Sequence, residues 1–320
     1  MEKANGRTDN MKRVVITGPT GTIGIALIQE CIRQGMEVYA ISRRNSPRIK
    51  NIPKHERVHQ IECDLEELGK LDVSSLPACD IFYHFGWKAT IGEERNNTFL
   101  QTSNIECTLE AVKLAQRMGC DTFVGAGSQA EYGRVEGKLN AQTPAFPENG
   151  YGIAKLCAGQ LSRLECEKRG LKHIWTRVLS VYGPYDGERT MIISAIKKLL
   201  RGECPSLTPG QQQWDYLYSG DAARAMLAAG QRGISGKIYC IGSGQVRPLK
   251  EYITSMRNQI NPEAKLGFGD IPYGEKQVMY LCADISELTK DTGFVPETDF
   301  DTGISKTIDW VKKEICNEKN

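Results

Sequence analysis

Hydrophobic and polar positions in this chain alternate between two periods. KRVVITG (12–18) is a short β-rich run, and the segment after it sets Ile23, Leu27 and Cys31, with Ile28 and Ile32 beside them, on one helix face that Gly35 ends. The alternation continues with strands at EVYAIS (37–42), RVHQIEC (57–63) and CDIFYHFG (79–86), then a helix around 102–118. A strand at DTFVGAG (121–127), a helix opening at YGIAK (151–155) and a strand at HIWTRVL (173–179) follow. Strands alternating with helices predict an α/β fold, a Rossmann-type doubly wound parallel sheet with helices on both faces. Beyond Tyr182-Gly183-Pro184 the rhythm breaks up, and 204–213 and 261–279 read as loops and short strands. That part is expected to form a smaller C-terminal lobe over the sheet's C-terminal edge, where ligands of such folds bind.

Composition narrows the partners. The 320 residues are 40% hydrophobic and 25% charged, in the range of an ordinary globular chain. Forty-one basic against 39 acidic residues leave a net charge of +2, which gives no electrostatic case for nucleic acid or a membrane surface. No apolar run approaches the ~20 residues of a bilayer span, and MEKANGRTDN opens the chain without the apolar stretch of a signal peptide. The 11 cysteines are scattered, with no C-x-x-C and no histidine at ligand spacing, so no metal site is expected. A cytoplasmic protein with reduced thiols is expected.

Two segments carry candidate chemistry. The first strand runs into TGPTGTIG (17–24), which opens a helix. Its glycines at Gly18, Gly21 and Gly24 permit a tight turn, close approach of backbone to a phosphate, and close helix–strand packing, with the helix N-terminus facing the anion. In that position the loop, with Thr20, Thr22 and Ile23, reads as a dinucleotide site. The second strand ends in Ser42, Arg43 and Arg44, where an NAD-selective fold would carry an acidic residue. Hydroxyl and guanidinium groups there suit a ribose 2′-phosphate, so NADP is favoured over NAD. Asp64-Leu65 is placed to meet the adenine, and Phe85-Gly86 to line the ribose and nicotinamide side. In YGIAK, Tyr151 and Lys155 share one helix face. An ammonium ~4 Å from a phenol at an effective dielectric of ~20 favours the phenolate by about 4 kcal/mol, or roughly 3 pKa units. Such a pair can trade a proton near neutrality.

These residues, with Asn104, GSQAEYG (127–133) and RVLSVYGP (177–184), resemble the extended short-chain dehydrogenase/reductases, the NAD(P)-dependent epimerase/dehydratase family that acts mostly on nucleotide-linked sugars. The resemblance runs from about residue 12 to the C-terminus. It implies a flexible tail at 1–11, an NAD(P)-binding Rossmann domain at 12–183 with returning segments near 215–255, and a substrate-binding lobe at 184–214 and 256–320. It implies Tyr151 as proton donor or acceptor, Ser128 as the hydroxyl that holds the same substrate oxygen, and Lys155 as the cation that depresses Tyr151 and bonds the nicotinamide ribose. Asn104 joins the cofactor contacts.

Dehydratases of this family carry an Asp-Glu pair after the catalytic hydroxyl, where this chain has Gln129 and Ala130. An NADPH-dependent ketoreductase of a nucleotide-linked sugar is therefore expected, with an epimerase that retains its cofactor as the alternative and a non-catalytic NADP-binding module as a third reading. Trp87, Glu131, Ser180, Trp214 and Arg247 are candidate substrate contacts; Glu131 reads equally well as a loop charge, and His84 as a structural strand histidine. Trp214 stands where the family often has a nucleotide-gripping arginine, and Ser180 where it has an asparagine. Arg189, Lys197 and Arg247 are candidates for the missing grip. Apolar stripes on the helices at 102–118 and 151–168 suggest a homodimer, as relatives of this type form.

Overall fold

The computed structural model describes residues 12–317, so the tail expected at 1–11 lies outside the described residues. The first half runs β1 (Arg13–Thr17), α1 (Thr22–Arg33), β2 (Glu37–Ser42), β3 (Val58–Glu62), β4 (Ile81–His84), α2 (Thr98–Arg117), β5 (Thr122–Ser128), α3 (Gly150–Lys168) and β6 (Lys172–Val178). It continues with β7 (Ser180–Tyr182), α4 (Met191–Leu200), β8 (Ser206–Leu207), β9 (Gln213–Trp214), β10 (Tyr216–Tyr218), α5 (Ser219–Arg232) and β11 (Ile238–Ile241). The chain closes with β12 (Arg247–Pro248), α6 (Leu249–Ile260), β13 (Gly267–Phe268), β14 (Tyr280–Leu281), α7 (Ser286–Thr292) and α8 (Phe300–Asn317).

Seven parallel strands form one sheet in the order β11-β6-β5-β4-β1-β2-β3. Side chains alternate across it: Val14, Ile16, Val38 and Ala40 face one core with α1 and α5, while Val15, Tyr39 and Ile41 face another with α2. Both faces are covered, as a parallel sheet requires. The order reverses between β1 and β4, and the crevice outside the carboxyl ends of those two strands is where ligands of doubly wound sheets bind.

Two elements depart from the sequence pattern. α2 begins at Thr98 instead of near 102, because the Asn97 side chain accepts from the Leu100 amide and caps the helix a turn earlier. The seventh strand, β11, returns to the sheet edge beside β6 after a long excursion, too short and too far along the chain to be read from periodicity. The excursion and the C-terminus build their own core, in which α4, α6 and α8 close around Tyr182, Tyr252 and Phe300. No helix among the described residues is long and apolar enough to cross a membrane.

Candidate active site

The glycine loop turns between β1 and α1 on sterics that can be checked residue by residue. Gly18 has φ +69°, and a Cβ there would stand 2.8 Å from the Gly86 nitrogen. A Cβ on Gly24 would stand 2.6 Å from the Gly18 carbonyl oxygen, so this glycine seats α1 against the loop. Gly21 differs: only the Gly18 oxygen, at 3.8 Å, lies near its missing Cβ, and it caps α1 with no side-chain hydrogen bond. That is an open cradle at a helix N-terminus, with Thr20, Thr22 and Ile23 half-buried along it. At the end of β2, Ser42 is buried and its hydroxyl has no hydrogen-bond partner. Arg43 is exposed, whereas Arg44 is ion-paired to Glu67 and lies 3.5 Å from Asp64. Leu65 packs over Gly86, where an added Cβ would meet its methyl at 2.6 Å. An open glycine cradle and an unmet hydroxyl at the next strand end fit a dinucleotide.

Asn104 is a correction. It is buried, and its amide accepts from the Lys88 N–H at 2.9 Å and donates to the Lys88 carbonyl at 3.1 Å. It fixes the segment after β4 and has no free face for a cofactor. His84 is likewise structural, between the hydroxyls of Thr17 (2.8 Å) and Thr108 (3.3 Å). Burial, and then the charge of Lys155, push its pKa down to about 3.

The proton-transfer candidates converge where β5 ends and α3 begins. Asn149 caps α3 by accepting from the Gly152 amide at 2.8 Å, and Asn96 accepts from the Gly150 amide at 2.9 Å. Ala130 is buried with its carbonyl against Gly152, which presses the turn after β5 onto the start of α3. This contact brings Ser128 to Tyr151, close enough for the hydroxyl to favour the ionised phenol. Lys155 is buried and donates to the Ala126 carbonyl at 2.6 Å. Its ammonium lies 3.7 Å above the Trp87 ring and 5.8 Å from the centre of the Tyr151 ring.

The electrostatics reverse the expected direction at Tyr151. Burial raises its pKa, against smaller lowering effects from Ser128 and Arg95, and Lys155 is not among the groups that lower it. The ammonium is held against the Ala126 carbonyl and the Trp87 face. Burial instead moves Lys155 down to about 7. At neutral pH the raised pKa keeps the phenol protonated, and burial favours the neutral form of the Lys155 amine.

Comparison with known proteins places the chain in a family. The model of the NAD dependent epimerase/dehydratase family matches residues 14–242. The chain belongs to that family. It is an enzyme of the short-chain dehydrogenase/reductase type. A dTDP-glucose 4,6-dehydratase of Neisseria meningitidis is 25% identical over 94% of this chain and 93% of its own length. In fold, the chain is similar to a UDP-N-acetylglucosamine 4-epimerase from Methanobrevibacter ruminantium, with TM-score 0.85 and 22% identity over 95% of this chain and 99% of the other. It is also similar to a UDP-glucuronic acid 4-epimerase from Bacillus cereus solved with NAD, with TM-score 0.81 and 21% identity over 94% and 99%.

The other end of the cleft sets this epimerase/dehydratase family member apart from the sequence expectation. Glu131 is no substrate contact. It is fully buried, accepts from the Ser128 amide (2.8 Å) and the Trp175 indole (3.0 Å), and pairs with Arg177 at 2.7 Å. The carboxylate thus holds the backbone of Ser128. Ser180 and Trp214 are brought together, the indole donating to the hydroxyl at 2.8 Å, and Arg247 lies opposite Trp214 in the β9–β12 pairing. Arg189 is exposed, and Lys197 reaches Glu188 at 3.1 Å. Trp87 takes a place the sequence left open, as the surface under Lys155 and edge-on to Tyr151 at 6.1 Å.

Sequence reasoning missed Gln101 and Arg95. Buried Gln101 accepts from the Trp87 indole (3.0 Å) and donates to the carbonyls of Ala89 and Glu94. It holds a loop from which Arg95 reaches over the Tyr151 ring, its guanidinium carbon 4.7 Å from the ring centre. A glutamine one helical turn into α2 carries no motif; only the loop's path reveals it.

Proposed function

We propose that this enzyme is an NADPH-dependent ketoreductase of a nucleotide-linked sugar. The observation that carries the reading is the meeting of Ser128 and Tyr151 beside buried Lys155, at the switch point behind the glycine cradle. Bound nicotinamide supplies the hydride. Tyr151, kept protonated by burial, gives its proton to the carbonyl oxygen as the carbinol forms. Ser128 holds that oxygen by a hydrogen bond, oriented by its own amide's bond to Glu131. Lys155 holds the nicotinamide ribose. Gln129 and buried Ala130 supply no carboxyl pair for eliminating water.

NADP preference is assigned to Arg43 and Ser42. Arg44, neutralised by Glu67 and Asp64, contributes less than the sequence suggests. The solved epimerases of similar fold, one of them holding NAD, favour a second reading in which the enzyme epimerises a sugar with a retained cofactor. Incubating the protein with NADPH and a panel of nucleotide-linked keto sugars separates them. Stoichiometric loss of NADPH absorbance supports the reductase; isomer formation without net NADPH use supports the epimerase and overturns it. Tight cofactor binding with neither outcome points to a binding module.

Exposed Phe99 on α2 and Ile153, Leu161 and Leu164 on α3 support a homodimer through these two helices. The domain division remains the one expected, with the cofactor bound by 12–183 and the substrate over it by 184–214 and 256–320.

A further inference from the structure

We propose that Arg95 is a specificity-determining residue that reads a carboxylate carried by the substrate next to the carbon that exchanges hydride. The inference rests on the reading of Tyr151 as the proton donor to a nucleotide-linked sugar. Arg95 lies over the face of the Tyr151 ring, 4.7 Å from its centre, so its donors reach the neighbourhood of the phenol oxygen. A substituent on a carbon beside the reacting one lies within the same reach.

The guanidinium is unspent. Its Nε is buried and has no hydrogen-bond partner, and among the described residues no carboxylate is ion-paired with it. A buried donor left unmet is a cost that a native structure tolerates where a ligand meets it. Of the carboxylates around it, Glu94 accepts from Asn97 and the buried Glu131 is paired with Arg177, while the other cation of the site, Lys155, is bound to a carbonyl and a ring face. A substrate anion at this point balances the site, and a guanidinium fork takes a carboxylate in two parallel bonds.

The loop is also built to aim the side chain. Gln101 clasps it at Ala89 and Glu94, Asn104 at Lys88, and Asn96 ties it to the first turn of α3. A diphosphate offers the same chemistry as a carboxylate, but it joins the sugar away from the reacting carbon. A carboxylate adjacent to that carbon is the source that fits.

The test measures the affinities of UDP-glucuronic acid, UDP-glucose and UDP for the NADP-loaded protein by calorimetry, in wild type and in Arg95→Gln. Wild type should prefer UDP-glucuronic acid over UDP-glucose by about ten-fold or more, the size of a charged hydrogen bond. Arg95→Gln should bring the two within about three-fold, leave UDP unchanged, and unfold close to the wild-type temperature, since among the described residues the side chain has no ion pair and gives up only its contact with the Tyr151 ring. Equal binding of both sugars by wild type, or a preference that survives in Arg95→Gln, overturns the proposal while leaving the nucleotide-sugar reading intact. A parallel loss of UDP affinity assigns Arg95 to the phosphates and also overturns it. If none of the three binds, the nucleotide-sugar reading fails and takes this inference with it.

Discussion

At the cofactor end of the cleft, Gly21 leaves space and Ser42 leaves a buried hydroxyl without a partner; at the substrate end, Glu131 is spent on Ser128, Trp175 and Arg177, and Ser180 on Trp214. Both ends are lined by residues that sequence alone marks as candidate contacts. The difference lies in where hydrogen bonds and charges are met. A phosphate site is made from backbone amides and missing side chains, so glycine spacing announces it. A sugar site is made from side chains drawn from several elements, and the same glutamate serves as a ligand contact or as a buried strut according to what stands behind it.

The comparison is most sharply broken at Glu131. Glu131→Ala would leave Arg177 charged and uncompensated in the core, and stability should fall by about 3–5 kcal/mol in urea denaturation. A Glu131 that faced substrate would instead raise KM and leave the denaturation midpoint where it is. At the other end, Gly24→Ala and Gly21→Ala should part company. The first drives a methyl onto the Gly18 carbonyl and should cost about 1–3 kcal/mol of stability. The second meets nothing close in the protein, and should shift stability by less than about 1 kcal/mol while weakening cofactor binding. Equal stability losses for the two would mean that the cradle at Gly21 is not open. Arg43→Ala should raise the Kd for NADP by about ten-fold and leave that for NAD unchanged, one charged hydrogen bond's worth. Arg44→Ala should do less, because Glu67 and Asp64 already hold it.

A pH dependence set by Lys155 tests the burial of the site independently of any ligand. Its folded pKa of about 7 lies below the unfolded value of 10.5, so between those values the unfolded chain binds a proton that the folded chain does not. Stability of the cofactor-free protein should therefore rise with pH from about 7 towards 10.5, and Lys155→Met should flatten that rise. His84 acts at the acid end with the same sign: its folded pKa of about 3 lies below 6.5, so stability is lost as pH falls through that window.

The sheet was legible because its strands alternate cleanly with amphipathic helices, and β1 to β6 stand within a few residues of where the pattern places them. β11 was not, since a four-residue strand at the far edge is specified by pairing with β6. Within the site, the YGIAK spacing identified the pair but misjudged its electrostatics. Helical spacing puts Tyr151 and Lys155 on one face, and only the tertiary structure shows the burial that raises Tyr151 and the Ala126 carbonyl and Trp87 ring that hold the ammonium. Asn104 and Glu131 were misjudged for a related reason: a buried amide or carboxylate is defined by partners distant in sequence, Lys88 for one and Arg177 for the other. Arg95 and Gln101 gave no signal at all, being ordinary polar residues in a loop and on a helix.

The account stands on Tyr151 as the group that moves the proton. Its most direct test is turnover of NADPH with a nucleotide-linked keto sugar by Tyr151→Phe, with the cofactor Kd measured on the same sample. The ring and its packing against Trp87 and Arg95 survive in this variant; only the hydroxyl is lost. Turnover should fall by about 10²–10⁴-fold with the cofactor Kd unchanged. Turnover within a few-fold of wild type would contradict the account.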